Sequence, residues 1–393
     1  MASLGALSPA EAPLHIVLVT HYYPAHSGGV ERIAGQLAER LVAGGHASID
    51  WHASDCDRPP PPMPGLHATP ARSWNFTERR LGFPYPLWSP AALRRLSRAC
   101  RSADVVHLHD CLYFPNLVAF AAARAAGRPV LVTQHVGLVP YRNPLLAATQ
   151  RAANHVLGGW ILGGADQVVF ESETVRAYFG RFVRFRREPL LVQNGVDTEL
   201  FHPATPEQRQ ALRSRFAPAS TPLLLFLGRF VEKKGLPVLR EVAQRLPHVR
   251  LLLAGWGPLD PAAWGLANVE VVRSPTTADL PALYQAADLL VLPSVGEGLP
   301  LSVQEAMACG TPALVGSETA AGCPGSEGVL LAEPTGERDS AARWVARLQA
   351  LLTSPRELQD LRPRVARFAR EHWSWEQCAA RYAELLRACM ARR

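Results

Sequence analysis

The sequence predicts an α/β protein of two doubly wound domains, each a parallel sheet with helices on both faces. Short apolar runs of strand length alternate with longer stretches of helical period, and they do so in two successive cycles. The 393 residues exceed the size at which a single core usually keeps growing. The charged residues suited to chemistry fall just after apolar runs, at the carboxyl ends of strands, where ligands of open α/β sheets bind.

The first cycle opens with a strand at 14–20, a loop at 21–28 and a helix from 29 to about 43. Val30, Ile33, Ala34, Leu37 and Leu41 share one face of that helix, and Gly44-Gly45 stop it. Further strands are expected at 104–109, 129–134, 167–171 and 189–193, separated by stretches rich in Ala and Leu. Residues 58–90 hold four consecutive prolines, Pro59 to Pro62, and then Trp74, Phe76, Phe83, Tyr85 and Trp88 beside Arg79 and Arg80. That composition predicts no regular structure. The second cycle has strands at 223–227, 249–254, 269–272, 289–292 and 312–315. The expected division is a first domain over 1–195, a second over 196–373, and a final helix at about 374–390 that packs back on the first.

A composition of 48% hydrophobic and 19% charged residues excludes a disordered or fibrous chain. No apolar run reaches membrane-spanning length, and the first thirteen residues lack the basic start of a secretory leader, so a cytoplasmic protein is expected. The seven cysteines form no CxxC pair and no metal-type spacing, which fits reduced thiols. The net charge is +7. Residues 1–195 carry 19 arginines against 13 acids, and the rest 22 cations against 21 acids. The basic first half suits an anionic membrane surface or a phosphorylated acceptor, or is a solvated surface.

The two lysines of the chain, Lys233 and Lys234, are adjacent in Leu227-Gly-Arg-Phe-Val-Glu-Lys-Lys-Gly235, where a strand gives way to a helix. Arg229 and Lys234 can converge on one diphosphate and offset the charge it gains on leaving, with Lys233 a solvated neighbour. Glu297-Gly-Leu-Pro-Leu-Ser-Val-Gln-Glu305 sets two carboxylates across a loop that opens a helix. A carboxylate accepts from adjacent hydroxyls, so Glu305 suits a ribose diol and Glu297 a hexose. Gly28-Gly29 bring the backbone N–H groups of a helix start close to a ligand, or simply form a tight turn.

Taken together, Gly28-Gly-Val-Glu31, Asn194-Gly-Val-Asp197, Gly228-Arg-x4-Lys234-Gly, Gly255-Trp-Gly-Pro258 and Glu297-x7-Glu305 with Ala-Met-Ala-Cys-Gly-Thr-Pro312 resemble the family 4 retaining glycosyltransferases of GT-B fold. The resemblance spans nearly the whole chain. It implies two Rossmann-like domains facing a central cleft and a nucleotide-sugar co-substrate, UDP- or GDP-linked, with no metal or other cofactor. It further implies Arg229 and Lys234 on the donor diphosphate, Glu305 on the ribose and Glu297 on the transferred sugar. Gly28, Gly29, Gly228, Gly298, Leu299, Pro300 and Leu301 would line the donor, with Arg273 near the base. His135 matches a family histidine at the end of a first-domain strand. His109 ends the preceding strand and is placed on the acceptor side with Trp74, Arg79 and Arg80. The acceptor would be a glycan or lipid-linked hydroxyl in surface polysaccharide, lipopolysaccharide or glycolipid synthesis, with a contact on the inner face of the cytoplasmic membrane. No nucleic-acid module is recognisable. Two departures touch the base and sugar: Ser317-Glu-Thr-Ala-Ala-Gly-Cys-Pro-Gly-Ser-Glu327 replaces a Gly-Gly loop with Pro-Glu, and Arg273-Ser-Pro275 lacks a usual glycine. Two other readings stay open: a metal-dependent GT-A transferase using Asp55-Cys-Asp57, and a catalytically silent nucleotide-sugar binder.

Overall fold

Runs such as Val105–His109, Val130–Gln134 and Leu289–Leu292 are buried along their whole length, as strands covered on both faces must be. In the computed structural model, which describes residues 12–26, 28–76, 78, 85–138, 143–336 and 339–391, these runs build two sheets.

The first sheet contains β1 (Leu14–Val19), β2 (Ala47–Ser54), β3 (Leu66–Ala71), β6 (Val105–His109), β7 (Val130–Gln134), β8 (Gln167–Phe170) and β9 (Leu190–Leu191). Their order is β3-β2-β1-β6-β7-β8-β9, every neighbour parallel. A short antiparallel pair, β4 (Ser73–Trp74) and β5 (Leu87–Trp88), stands apart. The second sheet orders β12 (Val269–Arg273), β11 (Arg250–Trp256), β10 (Leu223–Arg229), β13 (Leu289–Leu292), β14 (Ala313–Gly316) and β15 (Leu331–Glu333), again all parallel. Strand order reverses between β1 and β6 and between β10 and β13. Those two switch points open crevices at the carboxyl ends of the strands.

Residues 58–90 correct the expectation of an irregular region, because β3 adds a full parallel strand there. Pro70 is tolerated because β3 is the sheet edge, where one row of backbone groups needs no partner. The neighbouring β2 was also unforeseen. Its polar Asp50 and His52 break the apolar pattern yet satisfy each other at 2.9 Å, and Thr69 of β3 donates to Asp50 at 2.6 Å.

The first helix, Gly29–Ala43, buries Ile33, Ala34, Leu37, Ala38 and Leu41 against β1 and β2. The last helix, Trp375–Met390, buries Trp375, Cys378, Tyr382, Leu386 and Cys389 in that same apolar cluster. The chain crosses between the sheets twice, and the crossings run side by side, with Val196 N–H donating to the Trp373 carbonyl at 2.6 Å. Elsewhere the halves meet through Glu173 N–H on the Gly322 carbonyl (3.1 Å) and the Thr174 hydroxyl on the Glu318 carbonyl (3.1 Å).

Candidate active site

In the second half of the cleft, β10 ends at Arg229 and a short turn, Glu232–Lys234, leads into the helix Leu236–Arg245. Gly235 makes this turn with φ of +81°, and a Cβ there would lie 2.2 Å from the Pro293 carbonyl oxygen. Glycine is required. The turn is tied to the loop after β13 by Val295 N–H donating to the Lys233 carbonyl at 2.9 Å. Once the backbones are joined, the side chains meet: Lys234 Nζ lies 3.0 Å from Glu297 Oε2 and Lys233 Nζ 3.6 Å from Oε1. Lys233 thus belongs to the ion cluster rather than to solvent alone. Burial works to raise the Glu297 pKa, but the two ammonium groups outweigh it and hold the carboxyl below its usual value. Glu297 is an acceptor of hydrogen bonds, not a proton donor. Arg229 is exposed, its guanidinium over the face of Trp256 at 4.9 Å, a neighbour set by the β10/β11 register.

Glu305 sits in the helix Leu301–Ala308, buried, with both oxygens engaged. Tyr284 donates to Oε2 at 2.7 Å, and Arg32, from the first helix of the other half, donates to Oε1 at 3.2 Å. Arg32 therefore places Glu305 at the domain boundary, where it shares a cleft with Gln36, Asp197, Leu301 and Trp375. Between the two glutamates, Gly298 packs against Ser172 of the first half, a Cβ there falling 3.1 Å from the serine Cβ. Leu299 joins the second core, whereas Leu301 packs on the first. Pro300 caps the helix start.

In the first half, Gly28 precedes the helix in extended backbone, and the Glu31 carboxylate folds back over it, 2.1 Å from where a Gly28 Cβ would stand. Glu31 is buried against His21, with 2.9 Å between Oε1 and Nε2. Burial opposes its ionisation, and His21 overcomes that and lowers its pKa.

His135 follows β7. Its Nδ1 is 2.7 Å from Glu171 Oε2, which also accepts from Asn194 Nδ2 at 2.8 Å, and its Nε2 is 2.8 Å from His109 Nδ1. Burial alone would depress its pKa, but the carboxylates of Glu171, Asp110 and Glu31 hold it above the ordinary histidine value. When the ring is protonated, Nε2–H has an acceptor in His109 Nδ1, and Nδ1 lies in ion-pair contact with Glu171. The loop carrying it is fixed by Asp110, whose Oδ1 accepts from the backbone N–H groups of His135 (2.9 Å) and Val136 (3.0 Å). Asp110 adopts φ of +64°, an uncommon conformation for a non-glycine residue.

The structure thus joins Lys234 to Glu297, sets Glu305 and Leu301 in one cleft, and leaves Arg229 at the end of β10 and Gly298 against Ser172. Gly228, Gly28, Gly29 and His135 stand at the carboxyl ends of β10, β1 and β7. His109 corrects the acceptor-side expectation: it is wholly buried, and its ring, made neutral by burial and neighbouring imidazoles, supports His135 from within. His107 lies deeper still, 2.9 Å from the Thr133 hydroxyl, which meets Tyr382 of the last helix at 3.1 Å. Arg273 is exposed at the end of the edge strand β12 and pairs with exposed Asp260 at 2.7 Å. Trp74 is exposed on β4. Arg79 and Arg80 lie outside the described residues. In Asp55-Cys-Asp57, Asp55 accepts from the Ser73 backbone and hydroxyl (2.9 and 3.0 Å), and Asp57 pairs with His26 at 2.8 Å. Sequence reasoning missed Arg32, Tyr284 and Glu171. Arg32 stands one turn past the glycine pair and Glu171 directly after a strand, the signal that could have found them.

A family model described as Glycosyltransferase Family 4 matches residues 27–200, and one described as Glycosyl transferases group 1 matches 221–354. D-inositol 3-phosphate glycosyltransferase 1 of Catenulispora acidiphila is 31% identical over 75% of this chain and 74% of its own length. The chain belongs to glycosyltransferase family 4. A second relative, at 25% identity over 94% of this chain and 98% of its own, is the GDP-mannose-dependent alpha-(1-6)-phosphatidylinositol monomannoside mannosyltransferase of Mycolicibacterium smegmatis. Among solved structures, the sucrose-phosphate synthase of Thermosynechococcus elongatus superposes with a TM-score of 0.76 at 22% identity, covering 97% of this chain and all of that one. Anabaena Alr3699/HepE in complex with UDP gives 0.73 at 18% identity, covering 95% of this chain and all of that one. The fold of this glycosyltransferase is GT-B, and Arg32, in the helix after β1, meets Glu305, in the helix after β13, between its two domains.

Proposed function

We propose that this glycosyltransferase moves a hexosyl unit from a UDP- or GDP-sugar to a hydroxyl of a glycan or lipid-linked acceptor, with retention and without a metal or other cofactor. The observation that carries the reading is the set of charges that follows β10 and β13: Arg229 ending β10, Lys234 paired with Glu297, and Glu305 in the next helix, bonded to Arg32 of the other domain. Lys234 is 3.0 Å from Glu297, so a diphosphate on the lysine sets its sugar within reach of that carboxylate. Held anionic by the lysines, Glu297 accepts from sugar hydroxyls. Glu305, gripped by Tyr284, accepts from the ribose diol once Arg32 yields its oxygen. Arg229 and Lys234 stabilise the leaving diphosphate, a contribution of about 2.7–4 kcal/mol for each such donor. The departing phosphate oxygen takes the acceptor proton on the same face, so no separate base is required. The ring nitrogens of His135 both have partners, so its contact with the donor sugar requires the ring to turn.

The bound UDP of the Anabaena structure and the GDP-mannose in the mycolicibacterial relative's name support the two bases, and the phosphatidylinositol in that name supports a lipid-linked acceptor. Among the described residues no helix is long and apolar enough to cross a membrane. The reading places the enzyme in surface polysaccharide, lipopolysaccharide or glycolipid synthesis on the cytoplasmic side.

Thermal shift of wild type and Glu305→Ala against UDP, GDP, ADP and their sugars, with EDTA present, tests this. A stabilisation selective for one base and lost in the variant is expected. No response to any of them, or a response that needs added metal, overturns the reading.

A further inference from the structure

We propose that Trp256 is a positioning residue for the donor diphosphate: its indole holds the Arg229 guanidinium without a carboxylate and so leaves that cation's N–H groups to phosphate. The inference rests on the proposed transferase reading, which puts Arg229 on the diphosphate, and adds to it the side chain that aims the arginine.

Arg229 and Trp256 are the last residues of β10 and β11 and stand directly opposite in the parallel register. Side chains paired in this way leave the same face of the sheet, and the guanidinium carbon lies 4.9 Å from the centre of the indole. An exposed tryptophan is ordinary by itself. This one, 44% exposed, is carried on backbone that has little room to drift. Gly255 before it has φ of +148°, and a Cβ there would strike the Gly228 carbonyl oxygen; a Cβ on Gly257 after it would fall 2.5 Å from the Phe230 carbonyl oxygen. The Trp256 carbonyl accepts from Phe230 N–H at 2.7 Å, the Phe230 carbonyl from Leu259 N–H at 3.1 Å, and the Gly255 carbonyl from Ser274 N–H at 2.9 Å. The segment bearing the indole is thus tied to β10 on one side and to the residue after β12 on the other. Phe230, fully buried, anchors the chain directly after Arg229.

The neighbouring cations are held in another way. Lys233 and Lys234 pair with Glu297, and Arg32 pairs with Glu305. Among the described residues no carboxylate pairs with Arg229. A carboxylate anchors a guanidinium by occupying its N–H groups and offsetting its charge, so a phosphate must displace it. An aromatic face attracts the cation through the ring quadrupole and does neither. Arg229 therefore keeps its charge and its donors for an anion. A diphosphate that settles on the arginine also removes water from the stack, the condition under which a cation–π contact strengthens.

The test is isothermal titration of UDP and GDP into the full chain as wild type, Trp256→Leu, Trp256→Tyr, Arg229→Gln and Trp256→Leu/Arg229→Gln. For the nucleotide that wild type binds, Trp256→Leu should weaken binding about five- to thirtyfold. Trp256→Tyr, which keeps an aromatic face, should stay within roughly threefold of wild type. In the Arg229→Gln background, Trp256→Leu should cost nothing further, because the ring has no cation left to hold. An equal loss in both backgrounds, or a leucine variant that binds as wild type does, overturns the proposal and leaves the transferase reading standing. Urea denaturation of Trp256→Leu should match wild type. A fall in both urea midpoint and affinity shared by the leucine and tyrosine variants would make the ring a packing residue, and overturns the proposal too. Binding of neither nucleotide by wild type overturns the transferase reading and this role with it.

Discussion

The imidazole of His135 is held between the Glu171 carboxylate and the ring of His109, so its charge and orientation are set by two side chains from neighbouring strand ends. Its pKa is raised in the folded protein. The stabilisation from that charged pair is therefore complete below the unfolded value of about 6.5 and is lost as pH rises through the raised folded value. Glu171→Gln should cost about 1–3 kcal/mol at pH 6, and the gap to wild type should narrow as pH rises. Urea titrations across that range check this; a constant gap would mean the pair is not ionised. His135 itself was readable as the residue after an apolar run. Glu171 ends another such run, but only the β7/β8 pairing tells which carboxylate lies beside the histidine.

At the scale of the element, the strand, turn and helix from Leu223 to Arg245 show how a motif becomes geometry. Its glycine holds a positive φ against the Pro293 carbonyl, and that contact aims Lys234 at Glu297. Gly235→Ala adds strain and a backbone clash together, for an expected loss of about 1–3 kcal/mol. Because the turn must shift, the thermal response to nucleotide should weaken as well. If denaturation and nucleotide response both match wild type, the turn does not position the lysine. Most strands were legible because they are apolar runs between breakers. β2 and β3 were not, because their polar residues pair sideways with each other and the proline of β3 sits at an edge.

Across the whole molecule, the bond from Arg32 to Glu305 joins the two domains through one of the carboxylates assigned to the donor. Arg32 is about one-third exposed, at 35%, so solvent screens the pair and it contributes about 1 kcal/mol or less to closure. Arg32→Ala should shift the balance toward open forms by up to roughly fivefold, read as a larger radius of gyration without ligand that donor nucleotide reverses. An unchanged scattering profile would show that closure rests on the other contacts, Ser172 with Gly298 and Thr174 with Glu318. The packing of Cys378 and Cys389, each with a thiol pKa pushed up to about 12 by burial, belongs to this same scale: the last helix closes the first domain's core.

Hydrophobic period, turn residues and the spacing of Arg229, Lys234, Glu297 and Glu305 are local properties of the chain, and they suffice for the α/β class, the two cycles and the cations and carboxylates of the second domain. Contacts between distant residues are not local. Arg32 meets Glu305 from 273 residues away, and His109 is buried rather than lining the cleft. Crossover order and domain docking decide each of these, because a charged or apolar side chain has many equally suitable partners until the folded backbone selects one.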